Sequence, residues 1–173
     1  MNTAIAPLVV AATVSTVAAG LTFSAPHAWK PVPTSSSMRV AQFGLPHAPD
    51  DDQDAELVVY YFGGSGGTVD ANIQRWIGQM QQPDGRPSST VAKQSKRTVN
   101  GLSVTLVDVT GTYVAEMSPA SQERHNKPDF RLRAAVVETS NGPYFIKLTG
   151  PAKTVAAHEK NFEQFLDSVK LQP

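Results

Sequence analysis

The residues best suited to chemistry lie in Phe62-Gly63-Gly64-Ser65-Gly66-Gly67-Thr68, a glycine-rich loop between an apolar run and an amphipathic segment. Gly63, Ser65 and Gly67 match the G-x-S-x-G pattern, which in serine hydrolases sets the nucleophile on a sharp strand-to-helix turn. Asp108 or Asp129, and then His158, follow in the order that would complete a Ser…Asp…His triad. Three features weigh against that reading. The chain is small for the parallel-sheet hydrolase scaffold, and the segments after the loop read as antiparallel hairpins rather than βα units. His158 falls inside a helical pattern, and the glycines flanking Ser65 make the match an easy one. The expectation is therefore that no residue is catalytic.

Phosphate binding is the second chemistry such a loop suggests, with main-chain amides of Gly64, Ser65, Gly66 and Gly67 facing an anion at the start of a helix. The companions of the known phosphate loops are missing. No lysine follows Gly67, and Asp70 and Ala71 stand where a dinucleotide fold needs its third glycine. Gly64 to Gly67 remain the first place to expect a small ligand. Their basic role is conformational, since glycine lets a buried strand turn abruptly into a helix.

Asp50, Asp52 and Asp54 occupy the first, third and fifth positions of a calcium loop, but Ala55 and Tyr61 fall where that loop needs glycine and glutamate. His27, His47, His125 and His158 show no metal-ligand spacing, and there is no cysteine. No metal or cofactor is expected. Fifteen basic and fifteen acidic residues cancel, which argues against a nucleic-acid or anionic-membrane partner.

The elements that must position these residues follow from periodicity. Leu21-Thr22-Phe23 is extended and stops at Pro26, with Trp29 on a proline-punctuated loop. Met38 to Leu45 reads as a strand, and Leu57 to Phe62 is apolar on both faces, so it belongs at the centre of a sheet. Val69, Ile73, Trp76, Ile77 and Met80 recur at helical spacing behind a Thr68 cap, and Pro83-Asp84-Gly85 closes that segment. A polar loop is expected from there to Arg97. Leu102 to Val107 alternates as a strand that Thr112-Tyr113-Val114 continues past a bulge at Gly111, and Ser118 to Asp129 reads as polar loop.

Arg131 to Thr139 and Tyr144 to Thr149 flank Asn141-Gly142, a hairpin signal that would pair Val137 with Ile146 and Ala135 with Leu148. The other face then carries Phe145 and Lys147, a mixture suggesting that helices cover the sheet without sealing it. Pro151 opens a C-terminal helix whose stripe is Val155, Phe162, Phe165, Leu166 and Val169.

At 173 residues the chain suits one domain. Residues 1–19 carry no charged side chain and end in Val17-Ala18-Ala19, the small residues of a signal-peptidase site, although no Lys or Arg precedes the apolar stretch. Export is expected, to the periplasm or medium, with a mature domain of residues 20–173. An uncleaved anchor is the alternative. Once cleaved, no stable membrane insertion is expected.

The segments Phe23 to Trp29, Ser36 to Phe43, Tyr61 to Gln79 and Gly142 to Pro151 resemble a group of uncharacterised exported bacterial proteins of the PsbP/Mog1-like class. The resemblance implies an α+β fold, an antiparallel sheet sandwiched by helices (α/β/α). It also implies a non-catalytic binding or assembly module, and it assigns no site residue. The leading expectation is an exported interaction module for a protein or small ligand. The alternatives are a hydrolase using Ser65 and an anion or nucleotide binder at the same loop.

Overall fold

In the computed structural model, which describes residues 12–173, the period-two segments assemble into an antiparallel sheet. The main sheet has the order β3 (Lys30–Pro31), β4 (Arg39–Leu45), β5 (Ala55–Tyr61), β10 (Tyr144–Pro151), β9 (Lys127–Glu138), β8 (Leu102–Tyr113), β6 (Met80–Gln81), and β7 (Lys93–Val99) also pairs with β8. As its apolar faces demanded, β5 is central. A smaller sheet joins β1 (Thr13–Ala18), β2 (Leu21–Pro26) and β11 (Lys170–Leu171).

Each face of the main sheet has its own core. Leu57, Val59, Ile146 and Leu148 meet Phe23 of β2 and Phe162, Phe165 and Leu166 of α3 (Glu159–Asp167), which follows α2 (Ala152–Ala157). Each of these fully buried aromatic and aliphatic side chains contributes about 1.5–3 kcal/mol by leaving water. The opposite face receives α1 (Val69–Ile77), whose Ile73, Trp76 and Ile77 cover Val107, Val136 and Phe145, with Val91 and Ala92 beside them. Helices therefore lie on both sides of an antiparallel sheet, but unequally, and the sandwich description fits only loosely. Among the described residues one outer layer is α2, α3 and the small sheet, whereas the other is chiefly the nine-residue α1.

Thr68 caps α1 by accepting the Ala71 amide at 3.1 Å, with Asp70 in the first turn and Arg75 in the last. The helix stops at Ile77, a turn earlier than its apolar stripe, because Met80 has entered β6. The C-terminal helix is interrupted at His158, which divides α2 from α3.

Two expectations are corrected. The β9–β10 hairpin keeps the anticipated faces but slips by two residues, pairing Tyr144 with Val137 and Ile146 with Ala135. Pro143 has no amide to donate beside the turn, so the ladder restarts at Tyr144. The segment expected to be loop up to Arg97 contains β7, whose polar residues KQSKRTV are mostly exposed and so carry no apolar period. Residues 1–11 of the expected export signal lie outside the described residues, while Thr13–Ala18 form β1, with only Ala18 buried.

Candidate functional site

The glycine loop is fastened to the fold. Ser65 donates both its amide and its hydroxyl to the Phe62 carbonyl, at 3.3 and 2.9 Å. The Asn72 amide group reaches back from α1 to the carbonyls of Gly66 and Thr68, both at 2.8 Å. Gly66 (φ +121°) lies so close to Phe145 that a Cβ would meet its ring at 2.7 Å, and Gly142 (φ +96°) would meet Gly64 Cα at 2.4 Å. The glycines thus permit close packing of the loop on the β9–β10 turn.

The remaining triad candidates are occupied elsewhere. Trp29 donates its indole N–H to His158 Nδ1 at 3.2 Å, and His158 Nε2 lies 2.8 Å from the Pro46 carbonyl. An indole can only donate, so Nδ1 is the acceptor and the imidazole proton sits on Nε2, directed at Pro46. Asp108 binds Arg131 through both oxygens, at 2.9 and 2.6 Å, and Asp129 takes a left-handed backbone (φ +55°). No hydrogen bond joins Ser65 to His158.

The acidic segment is also structural. Asp51 accepts the amide and hydroxyl of Thr154 at 2.9 and 2.6 Å, which fastens the loop to the start of α2, and Asp54 binds His47 at 2.7 Å. The hydrogen bond from His47 is the main reason the Asp54 carboxyl titrates below the ordinary aspartate range. Among the described residues no three ligand side chains gather as a metal site.

A cleft lies instead where α1 leaves the sheet uncovered. On β10, Phe145, Lys147 and Thr149 share a face, and across the ladder to β5 they oppose Tyr60, Val58 and Glu56. Trp76 of α1 packs on Phe145, while Lys147 and Thr149 line an open cavity of about 320 Å³. One wall rises where β8 meets β9. Pro128 and Asp129 form a bulge opposite Thr112, shifting the register so that Tyr113 pairs with Lys127. There the rings of His125, Tyr113 and Phe130 stack, with centroid spacings of 5.3 and 6.0 Å. Arg39, over the Tyr60 ring, and Glu56 form the other wall.

Charge at this cleft is unevenly matched. Its acids are engaged: Asp54 with His47, Glu56 with Arg39 (3.4 Å) and Gln42 (3.1 Å), and Glu116 with Arg124 (3.7 Å). Three bases have neutral partners. Lys147 donates to Gln79 Oε1 at 2.6 Å and to the Tyr113 hydroxyl at 3.1 Å, Lys127 to Gln53 Oε1 at 2.7 Å, and Arg75 to Asn72 Oδ1 at 2.7 Å.

The Lys147 side chain keeps some contact with solvent at the cleft floor, yet the protein around its ammonium desolvates it. That burial, followed by repulsion from Arg75, pushes its pKa down to about 8, with Glu56 opposing and Arg39 adding. Burial likewise pushes the Tyr113 phenol up to about 12 and raises that of Tyr60. Neutral phenols, aromatic faces and an unneutralised ammonium can hold an anion.

Neither a family model nor a curated protein matches this chain in sequence. Solved structures do match in fold. PA94 of Pseudomonas aeruginosa, a protein of unknown function, superposes with a TM-score of 0.53 at 16% identity, over 93% of this chain and 98% of its own. The cyanobacterial PsbP (CyanoP) of Synechocystis sp. PCC 6803 does so with a TM-score of 0.53 at 11% identity, over 98% of both chains. LpqN of Mycobacterium tuberculosis, involved in cell envelope biogenesis, gives 0.52 at 10% identity over 88% of this chain and 83% of its own. The fold is PsbP-like. Identities this low carry the fold alone, since function resides in sites that unrelated members of a fold do not share. No helix among the described residues is long and apolar enough to cross a membrane.

Proposed function

We propose that this protein is a non-catalytic binding module that works outside the cytoplasm and receives its partner or ligand in the cleft beside α1. The observation that carries this reading is the uncovered part of the main sheet, where Lys147 meets neutral acceptors only. A folded protein gains no stability from desolvating an amine without a counter-charge, and such locally unfavourable arrangements concentrate at functional sites. The involvement of LpqN in cell envelope biogenesis is compatible with export, and the small residues Val17-Ala18-Ala19 support it from the sequence side.

Affinity capture from an envelope fraction tests this reading. The wild type and a Lys160→Glu control, altered at an exposed α3 position on the opposite side of the sheet, should recover the same partner. Lys147→Glu should lose it. Recovery independent of Lys147 would contradict a seat in the cleft.

A further inference from the structure

The cleft's chemistry narrows what it can hold. Lys147 and Lys127 meet neutral acceptors only, whereas Asp54, Glu56 and Glu116 remain nearby as carboxylates already bound to His47, Arg39 and Arg124. A phosphate dianion would meet those three acids and would find Arg39, the guanidinium best able to grip it, already bound to Glu56 and Gln42. A single negative charge fits better. An ammonium carries three donors, and Lys147 spends two, on Gln79 and Tyr113. The stack of Tyr113 with His125 and Phe130 beside it offers a flat, partly apolar wall. A cavity of about 320 Å³ accepts a small molecule or the end of a peptide.

We propose that the cleft binds an organic carboxylate carried on a flat or apolar body, the carboxylate received by Lys147 and the body laid against the Tyr113 wall. This rests on the cleft being the binding seat. The bound carboxylate supplies the counter-charge that the fold withholds from Lys147, and the aromatic wall supplies the area that makes binding selective. A free small acid and the C-terminus of a peptide share this chemistry.

Calorimetric titration of the full chain with hydrocinnamate, with its neutral amide hydrocinnamide, and with inorganic phosphate tests the inference. Hydrocinnamate should bind saturably, and the amide should bind about ten-fold more weakly, the worth of one charge-assisted hydrogen bond. Lys147→Gln should impose a similar loss on the acid and leave the amide unchanged. Comparing acid with amide on the wild type requires no variant to fold. A peptide ending in phenylalanine, with and without C-terminal amidation, separates the two sources, and preference for the free carboxyl in either pair supports the inference. Equal binding of acid and amide, equal competition by phosphate, or no saturable binding would overturn it. Equal binding accompanied by shifts of the Lys147 and Tyr113 resonances would overturn the carboxylate alone and keep the cleft as seat. Partner capture unaffected by Lys147→Glu would remove the seat itself.

Discussion

The Lys147 ammonium lies 3.1 Å from the Tyr113 hydroxyl and 5.1 Å from the centre of the same ring, so one phenol offers both an acceptor and a π face to an amine whose partners are all neutral. Cation–π attraction and hydrogen bonds to neutral groups offset only part of the hydration such an ion gives up. Lys147 is held at a net cost, and that cost is measurable.

The folded amine binds its proton less tightly than a free lysine, at about 8 against 10.5. Between those values the unfolded chain binds more protons, so stability rises with pH across that window, and the full penalty applies below it. Lys147→Met should therefore stabilise the protein at neutral pH, by about 1–2 kcal/mol after allowance for the two lost hydrogen bonds. The gain should shrink in alkali, where the wild type has shed the proton. Urea unfolding at neutral and alkaline pH checks both statements, and a destabilised variant at neutral pH would count against them.

On the other face, Arg133 is buried against the Phe162 ring at 5.0 Å, with Glu163 at 2.7 Å and Asp108 and Glu159 at 3.4 Å. Arg133→Ala should cost about 2–3 kcal/mol, because it uncovers Phe162 and leaves Glu163 to Arg97 alone, while Asp108 and Glu159 keep Arg131. Arg133→Met, which keeps the packing, should cost less. Burial pushes the Glu163 carboxyl up, but hydrogen bonds from Arg97 and Arg133 outweigh it and leave the group below the ordinary glutamate range. Its contribution is present above that range and lost as pH falls through the folded value, so Glu163→Gln should flatten the loss of stability in acid. Denaturation midpoints over an acid series measure the slope.

Strands and faces were legible in the sequence because burial imposes a period, and β5 and α1 follow from it, whereas the bulge expected at Gly111 lies across the ladder, at Pro128 and Asp129 of β9 opposite Thr112. The β9–β10 register was not, since Asn141-Gly142 advertises a two-residue turn and Pro143 displaces it. β7 escaped because its strand is held by β8 rather than by apolar side chains. The cleft draws on Arg39, Tyr60, Tyr113, Lys127 and Lys147, on separate strands, so no local motif announces it. Its signal was a single lysine on the same strand face as Phe145. The glycine loop, by contrast, is conspicuous in the sequence because its pattern is contiguous.

Gly142→Ala should destabilise by about 2–4 kcal/mol, because a Cβ there meets Gly64 main chain in a left-handed conformation. Ser65→Ala should cost about 1 kcal/mol or less, the worth of one exposed hydrogen bond to Phe62. Thermal unfolding of the pair separates a loop held by packing from one held by its serine. A large loss for Ser65→Ala would contradict this account.

Export with cleavage after Ala19 should cut the turn between β1 and β2 and release a chain beginning at Gly20. β1 is largely exposed, while Leu21, Phe23 and Ala25 of β2 carry the core contacts, so the shortened chain should stay folded. Intact-mass measurement of protein recovered from periplasm or medium gives the cleavage site, and a full-length mass there would contradict cleavage.

The most direct measurement is the titration of the Lys147 ε-amine by NMR, alone and with saturating hydrocinnamate. The free protein should titrate near 8, and the bound carboxylate should move that value up towards the ordinary lysine 10.5. An amine that titrates near 10.5 without ligand, or one that hydrocinnamate leaves unmoved, would contradict a cleft built to receive a negative charge.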